Sequence, residues 1–197
     1  MADRLGSDRY NALLLVVAMI AVMWVSEAVD LLPGVNLDQY GIHPRDVAGL
    51  PEIAAAPFLH AGFQHLIGNT VPFAIMGAAI ALGGLARVAI VTAVVGLVSG
   101  LGTWLIAPAN TVHLGASGLV FGYATYLVSR GILSRRLVDL AVGAVVAVIW
   151  GITLLQGLLP QSHISWQAHV FGAIGGVCAA SILASRRSEP EAPAPAL

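Results

Sequence analysis

Ser117 stands in the run Gly115-Ala116-Ser117-Gly118, among residues apolar enough to lie in lipid. An unpaired hydroxyl is costly in such surroundings, which makes this serine a candidate for chemistry. A serine is a weak nucleophile until a base takes its proton, and neutral imidazole is the usual base. His169 opens the glycine-rich run His169-Val-Phe-Gly172-Ala-Ile-Gly-Gly176 and is the candidate partner. In the run His65-Leu-Ile-Gly-Asn69 the two polar residues are four apart, on one face of a helix. With the backbone N–H of Ser117 at a helix start, they would supply donors for an oxyanion. No carboxylate is available to complete a triad, because Glu27 and Asp139, the acids nearest to the spans, fall on other segments. The chemistry predicted is that of a Ser-His dyad.

The elements that must hold these residues follow from composition. Of 197 residues 58% are hydrophobic and 10% charged, and the mean hydropathy is +0.87. These values describe a membrane protein with no room for a second, soluble domain. Six apolar stretches of spanning length are predicted as helices at residues 11–32, 65–85, 88–107, 115–133, 137–159 and 167–184. The expected fold is an all-α, six-transmembrane-helix bundle over residues 11–184. Residues 1–10 precede it, a long outer loop spans about 33–57, and a proline-rich tail at 185–197 is expected to be disordered. A signal peptide ending near Ser26-Glu27-Ala28 is the weaker reading of the first stretch, since apolar character resumes through Val29, Leu31 and Leu32.

All nine basic residues are arginine, and only Arg45 falls in a loop of the parity opposite to the other eight. This asymmetry predicts a multi-pass protein of the plasma membrane with both termini cytoplasmic. No basic groove for nucleic acid is present. In that topology the second, fourth and sixth stretches run from outside to inside, so His65, Asn69, Ser117 and His169 share one depth. Residues 169, 172 and 176 form a stripe whose glycines admit a close neighbour, and the small start of the fourth stretch fits it. Lone Cys178 is read as a small apolar residue. His43, His113 and His163 fall in outer loops, and Trp24, Trp104, Trp150 and Trp166 are read as anchors or packing residues.

The motifs His60-Ala-Gly-Phe-Gln-His65-Leu-Ile-Gly-Asn69, Gly115-Ala-Ser117-Gly118 and His169-Val-Phe-Gly172-Ala-Ile-Gly-Gly176 together resemble the signatures of the rhomboid intramembrane serine proteases, in order and across nearly the whole chain. The resemblance implies a serine endopeptidase without cofactor or metal, acting on single-span membrane proteins. It implies Ser117 as nucleophile, His169 as general base, and His65 and Asn69 as helpers of the oxyanion. Gly115 would support the serine turn and Phe121 would pack its ring against the histidine, where tyrosine is familiar in the family. Gly118, Gly172 and Gly176 would support the site, and His60 is a further possible member. The family's Trp-Arg pair in the first loop and its glutamate with arginine near the end of the second helix are not plainly matched by GLPEIAAAP and AIALGGLAR. Two other readings compete. One is a catalytically inactive rhomboid-like protein that binds membrane helices. The other is a metal-dependent membrane enzyme using His60, His65, His113 and His169, which lacks an HExxH-type pair.

Overall fold

The computed structural model describes residues 2–161 and 164–185. His163 and nearly all of the predicted tail lie outside the described residues. Among the described residues there are seven α-helices, α1 (Ala2–Asp30), α2 (Glu52–Ala55), α3 (Phe63–Ala81), α4 (Leu85–Ile106), α5 (Ser117–Ser134), α6 (Leu137–Gly157) and α7 (Trp166–Ser185). The six long ones correspond to the six predicted stretches. Four of them, α1, α4, α6 and α7, are long and apolar enough to cross a membrane. α3 and α5, with 19 and 18 residues, are not among those four. The physical reason is that these two carry the polar residues of interest: Gln64, His65 and Asn69 in α3, and Ser117 and Arg130 in α5.

α1 begins at Ala2, well before the predicted start near residue 11. Apolar length marks the part of a helix that suits lipid, whereas hydrogen bonding continues through polar residues that tolerate helix. Asp8 shows the use of this extension, since its carboxylate accepts the Leu85 N–H at the start of α4, at 3.3 Å. Further along α1 the buried residues Ala12, Val16, Met19, Met23 and Glu27 form one helical stripe.

The long connection from α1 to α3 is tied down rather than loose. His43 Nδ1 meets Glu52 Oε2 at 2.8 Å, Trp104 Nε1 donates to the Asp46 carbonyl at 2.9 Å, and Arg45 donates to the Ala107 carbonyl at 2.7 Å. A two-way backbone bridge joins Ile42 to His113. These bonds fasten the loop to the end of α4 and to the segment leading into α5.

α5 is the central helix. Nearly all its first eleven residues are buried, and it packs against α3, α4, α6 and α7. Glycine makes its contact with α7 possible: a methyl at Gly172 would collide with the Gly118 carbonyl, and one at Gly176 with the Gly122 carbonyl. Thr125 Oγ1, on the same seam, donates to the Ala173 carbonyl at 2.8 Å. α6 is different. It packs on α5, where Gly143 abuts the backbone of Leu127 and Val128, and its buried residues are only Gly143 and Val146.

Candidate active site

The site is assembled at the end of the bundle where α5 begins. The chain reaches it through Gly115, whose φ of +112° lies in the left-handed region that favours glycine. That turn is pinned from both sides, as Gly115 donates its N–H to the Ala56 carbonyl at 2.9 Å and Ala116 donates to His60 Nε2 at 3.3 Å. Ser117 is then the first residue of α5 and is half-buried. The first N–H groups of a helix have no partner within it, so the backbone donor at Ser117 is free of intrahelical duty.

His169 lies near the start of α7 and is buried, 7% exposed. Its ring stacks on Phe121, one turn below Ser117, with centroids 4.0 Å apart and planes 7° from parallel. Its Nδ1 is 2.8 Å from the Gly157 carbonyl oxygen, at the end of α6. A carbonyl only accepts, so Nδ1 carries the proton and Nε2 keeps its lone pair. A backbone carbonyl thus does here what an orienting carboxylate does in a triad: it selects the tautomer in which the other nitrogen is basic. Gly157 is required sterically as well, because a methyl there would lie 2.5 Å from Phe121 Cζ and 3.1 Å from His169 Nδ1.

Opposite the serine turn stand the α3 residues. A methyl at Gly115 would lie 2.5 Å from His65 Cε1, which places the His65 imidazole directly against that turn. His60 precedes α3 and stands edge-on to His65, with ring centroids 5.1 Å apart. Asn69 is buried, and its amide donates to the His65 carbonyl at 3.1 Å, which leaves its second N–H unused by that bond. Ser99 of α4 closes the back of the site by donating to the Ala168 carbonyl at 2.9 Å. A cavity of about 20 Å³ lies among Ser99, His113, Gly115 and Gly118, with room for a single water. Ser117 and His169 are not among its walls.

The structure therefore brings Ser117, His169, His65, Asn69, Gly115, Gly118, Phe121, Gly172 and His60 to one end of the bundle. Gly176 lies one turn further along the α5–α7 seam. Among the described residues no hydrogen bond joins the Ser117 hydroxyl to any partner, His169 included. Three participants have roles here that no sequence motif assigns. The Gly157 carbonyl and the Ser99 hydroxyl had no motif to mark them. His113 is the third: its Nε2 is 2.8 Å from Thr111 Oγ1 and its Nδ1 is 2.7 Å from Ser165 Oγ, so it clasps the entry to α5 onto the start of α7. Burial pushes the His113 imidazole below its ordinary range. Among the described residues no group of three or more His, Cys, Asp or Glu side chains is placed to hold a metal ion. The four-histidine metal reading lacks its ligand set there.

Comparison with known proteins agrees with the motifs. The family model described as Rhomboid domain matches residues 49–186. An uncharacterized protein of Mycobacterium bovis is 39% identical over 191 residues, covering 92% of this chain and 78% of its own. An uncharacterized protein of Mycobacterium leprae is 39% identical over 179 residues, 86% of this chain and 70% of its own. A Bacillus subtilis protein, YdcA, whose name proposes a rhomboid protease, is 30% identical over 119 residues, 60% of this chain and 59% of its own.

Proposed function

The chain belongs to the rhomboid family, and from that premise we propose that it is a serine endopeptidase that cuts single-span membrane proteins near the outer end of their spanning segment. The observation that supports this most is the fixed tautomer of His169, whose Nδ1 proton is committed to the Gly157 carbonyl while its ring lies on Phe121, one turn below Ser117. Nε2 is then the acceptor a serine nucleophile needs.

In the proposed reaction Ser117 Oγ attacks the scissile carbonyl carbon as its proton passes to His169 Nε2. The carbonyl oxygen becomes an oxyanion, held by the Ser117 N–H with the His65 ring and the Asn69 amide. Collapse breaks the C–N bond, His169 returns the proton to the leaving amine, and water hydrolyses the acyl-enzyme by the same proton route. The Ser117 to His169 hydrogen bond forms on substrate binding, in line with catalytic bonds that tighten only in the complex. A substrate helix must unwind locally, because its carbonyls are engaged in their own hydrogen bonds, so small or helix-breaking residues are expected at the cut. α6 is the proposed side of entry, as it packs mainly on α5 and is otherwise exposed. All six long helices would cross the plasma membrane, with eight arginines against one placing both termini in the cytoplasm.

The test is cleavage of a single-span substrate in liposomes by wild type, Ser117→Ala and His169→Ala. Both variants are expected to lose at least about 10³-fold in rate. Equal cleavage by all three would remove the mechanism, and no cleavage by any of them, wild type included, would leave the alternative, an inactive family member that only binds membrane helices.

A further inference from the structure

The second notable feature of the molecule lies at the opposite end of α5 from Ser117. A cavity of about 360 Å³ is bordered there by Leu5, Asp8 and Arg9 of α1, the α3–α4 turn with Arg87, Arg130 of α5, and Arg136 with Asp139 at the start of α6. It is far larger than a single ordered water needs. Four arginines face two aspartates in its wall, an excess of two positive charges. Both acids are already engaged: Asp139 pairs with Arg130 at 2.8 Å, and Asp8 accepts the Leu85 N–H. Arg9 and Arg136 are exposed; among the described residues neither guanidinium makes a hydrogen bond or a close ion pair, although the Arg136 charge also acts on the Asp139 carboxylate from beyond contact distance. The remaining walls are aliphatic, among them Leu82, Leu127 and Val142.

A wall that combines exposed guanidinium groups, free to donate, with aliphatic surface, at the arginine-rich end of a membrane bundle, suits a ligand with a phosphate head and an apolar body. We propose that this cavity is a binding site for the phosphate group of an anionic phospholipid in the inner leaflet, with Arg9 and Arg136 as the groups that grip it. Water-soluble phosphate shares the charged contacts but makes no use of the aliphatic walls. Basic pockets between spanning helices on the cytoplasmic side are recurrent sites of this chemistry. The site rests on the multi-pass reading of the chain and not on Ser117 or His169, so its readout is binding rather than cleavage.

The experiment takes the full chain in a neutral detergent and measures thermal unfolding and lipid retention by native mass spectrometry, with phosphatidylglycerol, phosphatidylcholine or inorganic phosphate added. Phosphatidylglycerol is expected to raise the unfolding midpoint and to be retained, and its affinity is expected to fall about fivefold for each of Arg9→Gln and Arg136→Gln. Arg4→Gln, at the same end but outside the cavity wall, is expected to leave that affinity within about twofold, less than the loss expected of one gripping arginine. Equal protection by phosphatidylcholine, or an equal loss in Arg4→Gln, would overturn the site. Protection by inorganic phosphate equal to that by phosphatidylglycerol would overturn the lipid assignment.

Discussion

His169 is held on two sides, by the Phe121 ring and by the Gly157 carbonyl, and each contact makes its own prediction. Nitrogen NMR of labelled His169 is expected to show a protonated Nδ1 and an unprotonated Nε2 near neutral pH; the reverse pattern would remove the orienting role of Gly157. Gly157→Ala should displace the ring, since its methyl has no room beside Phe121 and Nδ1. Cleavage is expected to fall by about 10²-fold, with a mixture of tautomers in the same spectrum. Gly115→Ala adds a left-handed backbone to a collision with His65, and a cost of about 1–3 kcal/mol is expected in unfolding measurements. Ser117, His169 and Phe121 were legible as letters, because side-chain chemistry is written in residue type. The Gly157 carbonyl was not, because every residue has one and only the fold decides which of them meets an imidazole.

At the scale of elements, the α5–α7 seam leaves its glycines the least room against neighbouring backbone, since methyls at Gly172 and Gly176 would collide with the carbonyl oxygens of Gly118 and Gly122. Gly172→Ala must push α7 off the Gly118 carbonyl, for a loss of about 1–3 kcal/mol in thermal unfolding together with reduced cleavage. Gly151→Ala on α6 is the control, with nothing within 4 Å of its methyl, and should be neutral or stabilising by about 0.5–1 kcal/mol. The stripe of residues 169, 172 and 176 announced a close neighbour, and small residues four apart in α5 supplied it. The loop from α1 to α3 was readable only as long, since its anchors are backbone carbonyls of Asp46 and Ala107. His113 gives this level a pH dependence. Thr111 Oγ1 donates to the Pro108 carbonyl and so accepts from His113 Nε2, which leaves Nδ1 to accept from Ser165. The folded protein favours the neutral ring, and its pKa is lowered relative to the unfolded chain. Its contribution to stability is therefore complete above the ordinary imidazole range and is lost as pH falls through that range toward the lowered value. Unfolding midpoints measured from pH 7.5 to pH 5 should fall less steeply in His113→Gln than in wild type.

At the scale of the whole molecule, the arginine distribution predicts which end faces the cytoplasm. In a Cys178→Ala background, Asp46→Cys is expected to react with an impermeant thiol reagent applied to intact cells, while Arg4→Cys reacts only after lysis. The opposite pattern would invert the proposed topology. The sequence alone determined that the chain reads as a membrane protein, where its long helices fall to within a few residues apart from the start of α1, and which family it belongs to. Those properties are written in local quantities: apolar length, periodicity, the sign of flanking charge and the order of short motifs. Tertiary structure decided the rest. It set the start of α1 at Ala2, the fastening of the outer loop, the His113 clasp, the carbonyl behind His169 and the arginine-lined cavity at the far end. Each of these joins groups distant along the chain, often through backbone atoms that all residues share. Such pairings exist only once the helices have packed, and no pattern of letters specifies them beforehand.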